Sequence, residues 1–127
     1  MQDATVSSFR RRRTNFLVLV DRILTNDGYR VTTALDSRQA LAYVDCVDFS
    51  LAVLDIKMAP IDGVEVLARI KKRSPSTCVI MITGYPTEES RAECIRLGAD
   101  AYLTKPINFS EFKTLLRDLK AVGPLPY

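Results

Sequence analysis

Three residue types in this chain stand where they could do chemistry together. Asp55 ends the apolar run Ser50-Leu-Ala-Val-Leu54. Thr83-Gly84 ends the run Thr77-Cys-Val-Ile-Met-Ile-Thr83, and Lys105-Pro106 follows Ala101-Tyr-Leu-Thr104. A carboxylate can attack phosphorus and form an aspartyl phosphate. A hydroxyl can donate a hydrogen bond to one transferred oxygen, and an ammonium can neutralise another. Gly84 leaves room for the group between them. Taken singly, each is more often structural: an aspartate closing a turn, a lysine in water. Their joint placement after three successive apolar runs reverses that preference. The chain has no histidine, which excludes Ser-His-Asp and Cys-His nucleophiles, a histidine-ligated zinc and a phosphohistidine of its own.

Those positions have meaning only if the apolar runs are strands. Tyr29–Ala34 is rich in β-branched residues and reads as a half-buried strand. Residues 50–54, 77–83 and 101–104 are continuous apolar runs, as strands covered on both faces should be. Between them lie helices with recognisable ends. Phe16, Val20, Ile23 and Leu24 share one helical face, with Gly28 at the left-handed stop. Asp36-x-x-Gln39 and Asp62-x-x-Glu65 read as capping boxes opening helices near 37–45 and 63–73. Pro86, Glu88 and Glu89 open a helix that stops at Gly98. Asn108-x-x-Glu111 opens the last, striped by Phe109, Phe112, Leu115, Leu116 and Leu119. Alternation of strand and helix argues for a parallel sheet with helices on both faces. In such sheets ligands bind beyond the carboxyl ends of the strands, where Asp55, Thr83 and Lys105 stand.

Composition narrows the class. A chain of 127 residues, 47% hydrophobic and 26% charged, is one globular domain, neither disordered nor fibrous. Phe16–Val20 is far too short to span a bilayer, and the arginines Arg10–Arg13 precede no signal-peptide core. The expectation is a soluble cytoplasmic protein. The three cysteines, Cys46, Cys78 and Cys94, form no C-x-x-C motif and read as small buried hydrophobes.

The segments Leu51-Ala-Val-Leu-Asp55-Ile-Lys-Met58, Ile61-Asp-Gly-Val-Glu65, Val79-Ile-Met-Ile-Thr83-Gly84 and Gly98-Ala-Asp-Ala-Tyr102-Leu-Thr-Lys105-Pro106 together resemble the receiver domain of bacterial response regulators, over about residues 16–121. The resemblance implies a flavodoxin-like (βα)5 doubly wound parallel sheet with strand order 2-1-3-4-5. It implies Asp55 as phosphoacceptor, Lys105 on the phosphoryl oxygen, and Thr83 and Tyr102 as the switch pair. It also implies a cis Lys105–Pro106 peptide and a Mg2+ ion held by Asp55, the Lys57 backbone carbonyl and an acidic pair. The phosphodonor it implies is a histidine kinase or phosphotransfer protein, and the module is a switch, not an enzyme. Haloacid-dehalogenase-like phosphatases carry a second aspartate two places after the nucleophile, and Lys57 at that place excludes them.

The pattern breaks at its start. Counting back from Gly28 by four helical turns and a loop places the acidic pair near Arg11 and Arg12, both arginine. The candidate first strand, Ala4–Phe9, is poor, with two serines, and reads as a weak or degraded strand. Asp3 lies at its far end, and Asp21 and Asp27 lie on the helix beyond. Either Arg10–Arg13 form a solvated arm, or they form a loop that sets a guanidinium against Asp55; in both cases magnesium binding is impaired. A smaller departure is Met58-Ala59-Pro60, with the proline one place late. Lys57 and Tyr85, each two places beyond a site residue, could shield an aspartyl phosphate from water.

The expected organisation is a basic segment or weak first strand at 1–13, a receiver at 14–122, and a linker or tail from 123 to 127. An output domain beyond it and a homodimer are compatible with this. The leading function is a phosphorylated switch of a protein-interaction surface. The alternative is a phosphorylation-independent pseudo-receiver that binds protein. Nucleic-acid binding through the arginines, at a net charge of +3, lacks a recognition helix or aromatic platform.

Overall fold

The computed structural model describes residues 2–7, 15–57 and 61–122. Strand and helix alternate five times: β1 (Gln2–Ser7), α1 (Asn15–Asn26), β2 (Tyr29–Ala34), α2 (Ser37–Cys46), β3 (Leu51–Asp55), α3 (Gly63–Arg73), β4 (Cys78–Thr83), α4 (Glu88–Arg96), β5 (Ala101–Thr104) and α5 (Phe109–Val122). All strand pairs are parallel, in the order β2-β1-β3-β4-β5. The parallel sheet is what the apolar runs predict, and its order is the flavodoxin-like one that the resemblance implies.

Helix boundaries follow from the polar residues at their ends. Asp36 Oδ1 accepts from the Gln39 amide at 2.8 Å, while Gln39 Oε1 accepts from the Leu35 amide at 2.8 Å. Asp62 Oδ1 accepts from the Glu65 amide at 3.0 Å, and Asn108 Oδ1 from that of Glu111 at 3.1 Å. Each satisfies an amide that the first helical turn leaves unpaired. The cap of α4 is Thr87, whose hydroxyl accepts from the Ser90 amide. Gly28 and Gly98 end their helices at φ +96° and +101°, the left-handed conformation that favours glycine.

The sheet separates two apolar layers. Leu51 and Val53 of β3 join Ile80 and Ile82 of β4 beneath α1 (Val20, Leu24) and α5 (Phe112, Leu116). Ala52 and Leu54 join Val79 and Met81 beneath α2, α3 and α4. Two-residue alternation along β3 and β4 therefore feeds both cores, which is why these strands read as unbroken apolar runs.

The first strand is formed. It is Gln2–Ser7 rather than Ala4–Phe9, and it lies between β2 and β3, with Ser7 opposite Ala34 and Leu54. A strand flanked on both sides has its amides and carbonyls satisfied by two neighbours, and that backbone pairing outweighs the weak propensity of its serine. Arg10–Arg13, including Arg11 and Arg12, lie outside the described residues, as do Met58-Ala59-Pro60 and 123–127. Cys46 corrects an expectation: it is exposed, whereas Cys78 is half-buried and Cys94 buried. It closes α2 two places beyond the buried Val44, so the 3.6-residue period turns it away from the core.

Candidate receiver site at the carboxyl edge of the sheet

The last residues of β3 and β4 and the first residues after β5 converge. Parallel pairing places Asp55 beside Ile82 and Thr83 beside Thr104, so the strand ends are level. Asp55 is 6% exposed. Its Oδ2 lies 2.5 Å from Lys105 Nζ, and its Oδ1 accepts from the Lys57 amide at 3.0 Å. Lys105 reaches the carboxylate from a backbone anchored by its own amide, which donates to the Thr83 carbonyl at 2.8 Å. The Lys105–Pro106 peptide is cis.

Thr83 is buried, and its Oγ1 accepts from the Tyr85 amide at 3.0 Å. That bond uses an oxygen lone pair and leaves the hydroxyl proton to be donated elsewhere. The Tyr85 ring is 70% exposed and carries the Lys57 ammonium 3.8 Å from its centroid. The contacts therefore close a circuit: Asp55 to Lys57, Lys57 to the Tyr85 ring, Tyr85 to Thr83, Thr83 to Lys105, and Lys105 back to Asp55. Tyr102, half-buried on β5, donates its hydroxyl to Ser90 Oγ at 3.1 Å, and the Arg91 guanidinium lies 5.8 Å from its ring centroid.

Close approach of α3 shapes the other wall. The Gly63 amide donates to the Ile56 carbonyl at 2.8 Å. A Cβ at Gly63 would overlap the Asp55 carbonyl oxygen and lie 2.9 Å from Ile56 Cα, so only glycine lets the helix start against the acceptor strand. A Cβ at Gly84 would meet nothing within 4 Å. The buried Ser37 accepts from the Ile61 amide at 2.8 Å, fastening α2 to the loop after β3.

Of the residues singled out from sequence, Asp55, Thr83, Lys105, Lys57 and Tyr85 are brought together, while Tyr102 is bonded to α4 through Ser90. Arg11 and Arg12 are not among the described residues. Sequence reasoning missed Gly63 as a spacer, Ser37 as a fastener, and Ser90 and Arg91 as partners of Tyr102. The Asp62-Gly63 pair inside a capping box was the available signal for the first; the others rest on contacts across the fold.

Among the described residues no three acidic, cysteine or histidine groups gather around one point. The sequence holds no carboxylate between Asp3 and Asp21. Asp3 pairs with Arg30 near the start of β2, four residues from Ser7, about 13 Å from the carboxyl edge. Magnesium takes an octahedron of oxygens and usually keeps several waters among them; of the ligands that the resemblance implies, the described residues include Asp55 and the Lys57 backbone.

Comparison with known proteins agrees with the geometry. Residues 14–117 match the family model of the response regulator receiver domain. The transcriptional regulatory protein TcrA of Mycobacterium tuberculosis is 42% identical over 108 residues, 85% of this chain and 43% of that protein. The chain thus spans less than half the length of this curated relative. A CheY-like receiver domain from Methanospirillum hungatei superposes with a TM-score of 0.82 at 30% identity, covering 97% of this chain and 99% of that one. The BeF3-activated DrrB receiver domain gives 0.85 at 30% identity, covering 95% and 98%. Receiver domains are regulatory modules that generally bind Mg2+ where they are phosphorylated. With a buried aspartate, a threonine and a lysine level at the carboxyl edge of a 2-1-3-4-5 sheet, this chain belongs to the response regulator receiver family of two-component signal transduction.

Proposed function

We propose that the chain accepts a phosphoryl group on Asp55 and uses it to switch a protein-interaction surface, while binding magnesium weakly. The observation that carries this reading is the buried Asp55 carboxylate held 2.5 Å from the Lys105 ammonium. An Asp55 oxygen attacks phosphorus, and the bond from phosphorus to the donor's leaving atom breaks with its electron pair on the leaving group. Lys105 neutralises one transferred oxygen, and the spare proton of Thr83 bonds another. Thr83 draws the β4–α4 loop with it, and Tyr102, tied to α4 through Ser90, reports the change. The donor is a histidine kinase or phosphotransfer protein of the cytoplasm. The receiver occupies residues 14–122 together with β1, residues 123–127 begin a linker, and an output domain of the transcriptional class follows, as the name of the M. tuberculosis relative suggests. The domain is a switch with no small-molecule turnover of its own.

A second reading is supported by the missing carboxylates between Asp3 and Asp21: a pseudo-receiver whose state is set by protein contacts alone. Intact-mass spectrometry after incubation with acetyl phosphate separates the two. One added phosphoryl group, absent from Asp55→Asn, is the expected result. A folded protein with no adduct, with or without magnesium, would leave the pseudo-receiver. Calorimetry is expected to show no magnesium binding at sub-millimolar concentration.

A further inference from the structure

Lys57 offers a positive charge beside the site where the resemblance puts a divalent metal. Its amide already lies 3.0 Å from Asp55 Oδ1, so its side chain starts at the wall of the site. Its ammonium is exposed, and among the described residues its contact is the face of Tyr85 at 3.8 Å. An exposed cation–aromatic contact is weak, and a new anion in reach draws the cation away from it. Tyr85 is itself bound to Thr83 Oγ1 through its amide, so the residue whose ring holds the ammonium is anchored at the hydroxyl that would bond a transferred oxygen.

Charge bookkeeping favours a metal-free site. An aspartyl phosphate carries about two negative charges where the carboxylate carried one, and Lys105 offsets one of the two. In the arrangement that the resemblance implies, the two acidic residues and the divalent ion cancel one another. A chain without either acid therefore needs no divalent ion to reach the same net charge, and one further ammonium brings it to neutrality.

We infer that Lys57 is a catalytic residue that swings from the Tyr85 ring onto the transferred phosphoryl oxygens, so that Asp55 is phosphorylated without a divalent metal. This rests on the reading of Asp55 as phosphoacceptor. In the test reaction with acetyl phosphate, the Asp55 oxygen bonds to phosphorus and the phosphorus–acetate oxygen bond breaks. Acetate leaves with the electron pair.

The experiment follows the phosphorylated mass of the full chain over time in EDTA and in magnesium, for wild type, Lys57→Met and Lys57→Arg. Wild type is expected to react in EDTA within about tenfold of its magnesium rate. Lys57→Met should slow the EDTA reaction on the order of 100-fold, the effect of removing one donor to the transferred oxygens, and Lys57→Arg should restore most of it. An adduct that forms only with magnesium would overturn the inference and leave Asp55 as acceptor. Wild-type speed in Lys57→Met would also overturn it and point to the arginines at 10–13. No adduct in any condition would remove the phosphoacceptor reading as well.

Discussion

Two lysine–aspartate pairs stand at opposite ends of the same sheet, and they are built in opposite ways. At the amino edge, Lys71 is the more buried partner, its side chain 16% exposed against 34% for Asp100. Its ammonium donates to the Thr77 carbonyl at 2.6 Å, to Asp100 Oδ2 at 3.0 Å and to the Pro75 carbonyl at 3.4 Å. Three protons meet three acceptors, and Asp100 Oδ2 also takes the Val79 amide at 2.8 Å. At the carboxyl edge the burial is reversed: Asp55 is the hidden partner at 7% and Lys105 the accessible one at 29%. Asp55 takes two donors among the described residues, and a carboxylate has about four acceptor positions. A lysine saturated under carbonyls is a fastener between α3, β4 and β5. A buried carboxylate with bonding capacity to spare, beside an accessible cation, is a place for a ligand.

That contrast can be broken at either end. The largest effect belongs to Gly63→Ala, where backbone atoms of Asp55 and Ile56 block the new methyl group. It is expected to cost about 3 kcal/mol, seen as a lower urea midpoint, and to disturb phosphorylation with it. Gly84→Ala, facing open space, should leave stability nearly unchanged. Next comes Lys71→Met, which strands Asp100 and two carbonyls. A loss of about 2 kcal/mol with the rate of Asp55 phosphorylation intact would keep the two pairs distinct; a matching loss of phosphorylation would show that they are coupled. The smallest effect sharpens the comparison by pH. Burial, and then Asp100, push the Cys78 thiol up to about 11, and burial, then Asp27, push Tyr29 up to about 12. Both groups hold their protons more tightly folded than unfolded. Their contribution is present below about pH 9 and is lost as pH rises through 11 and 12. The urea midpoint should therefore fall above pH 9.

Much of the architecture was legible because each element carries its own punctuation. The bounds 63–73 for α3 and 29–34 for β2 are those expected from Asp62-x-x-Glu65 and from the β-branched run, and the strand ends that carry Asp55, Thr83 and Lys105 are in place. The first strand was the hardest to read. Its residues do not advertise a strand, and its formation depends on two flanking strands that lie 22 or more residues onward. Side-chain partners across the fold were equally hidden. Ser37 and Ile61 are 24 residues apart, and Lys71 and Asp100 are 29 apart, and neither pair belongs to a motif with fixed spacing. The chemistry was legible because it uses strand ends; the fastenings were not, because they use whichever residues happen to meet.

One of those fastenings sets a direction. Ser37 holds the loop after β3, Gly63 seats α3 directly on the acceptor strand, and both lie on the α2–α3 side of Asp55. That side is a fixed abutment. Across the site, Tyr85 is held by one amide hydrogen bond to Thr83 and a ring contact with Lys57, and Tyr102 by one hydroxyl hydrogen bond to Ser90 and a ring contact with Arg91; these can be exchanged one at a time. On the proposed reading of Asp55 as phosphoacceptor, a partner that reads its state should therefore approach from the α4–β5 side. To a partner resting on α2 and α3, the two states would look alike.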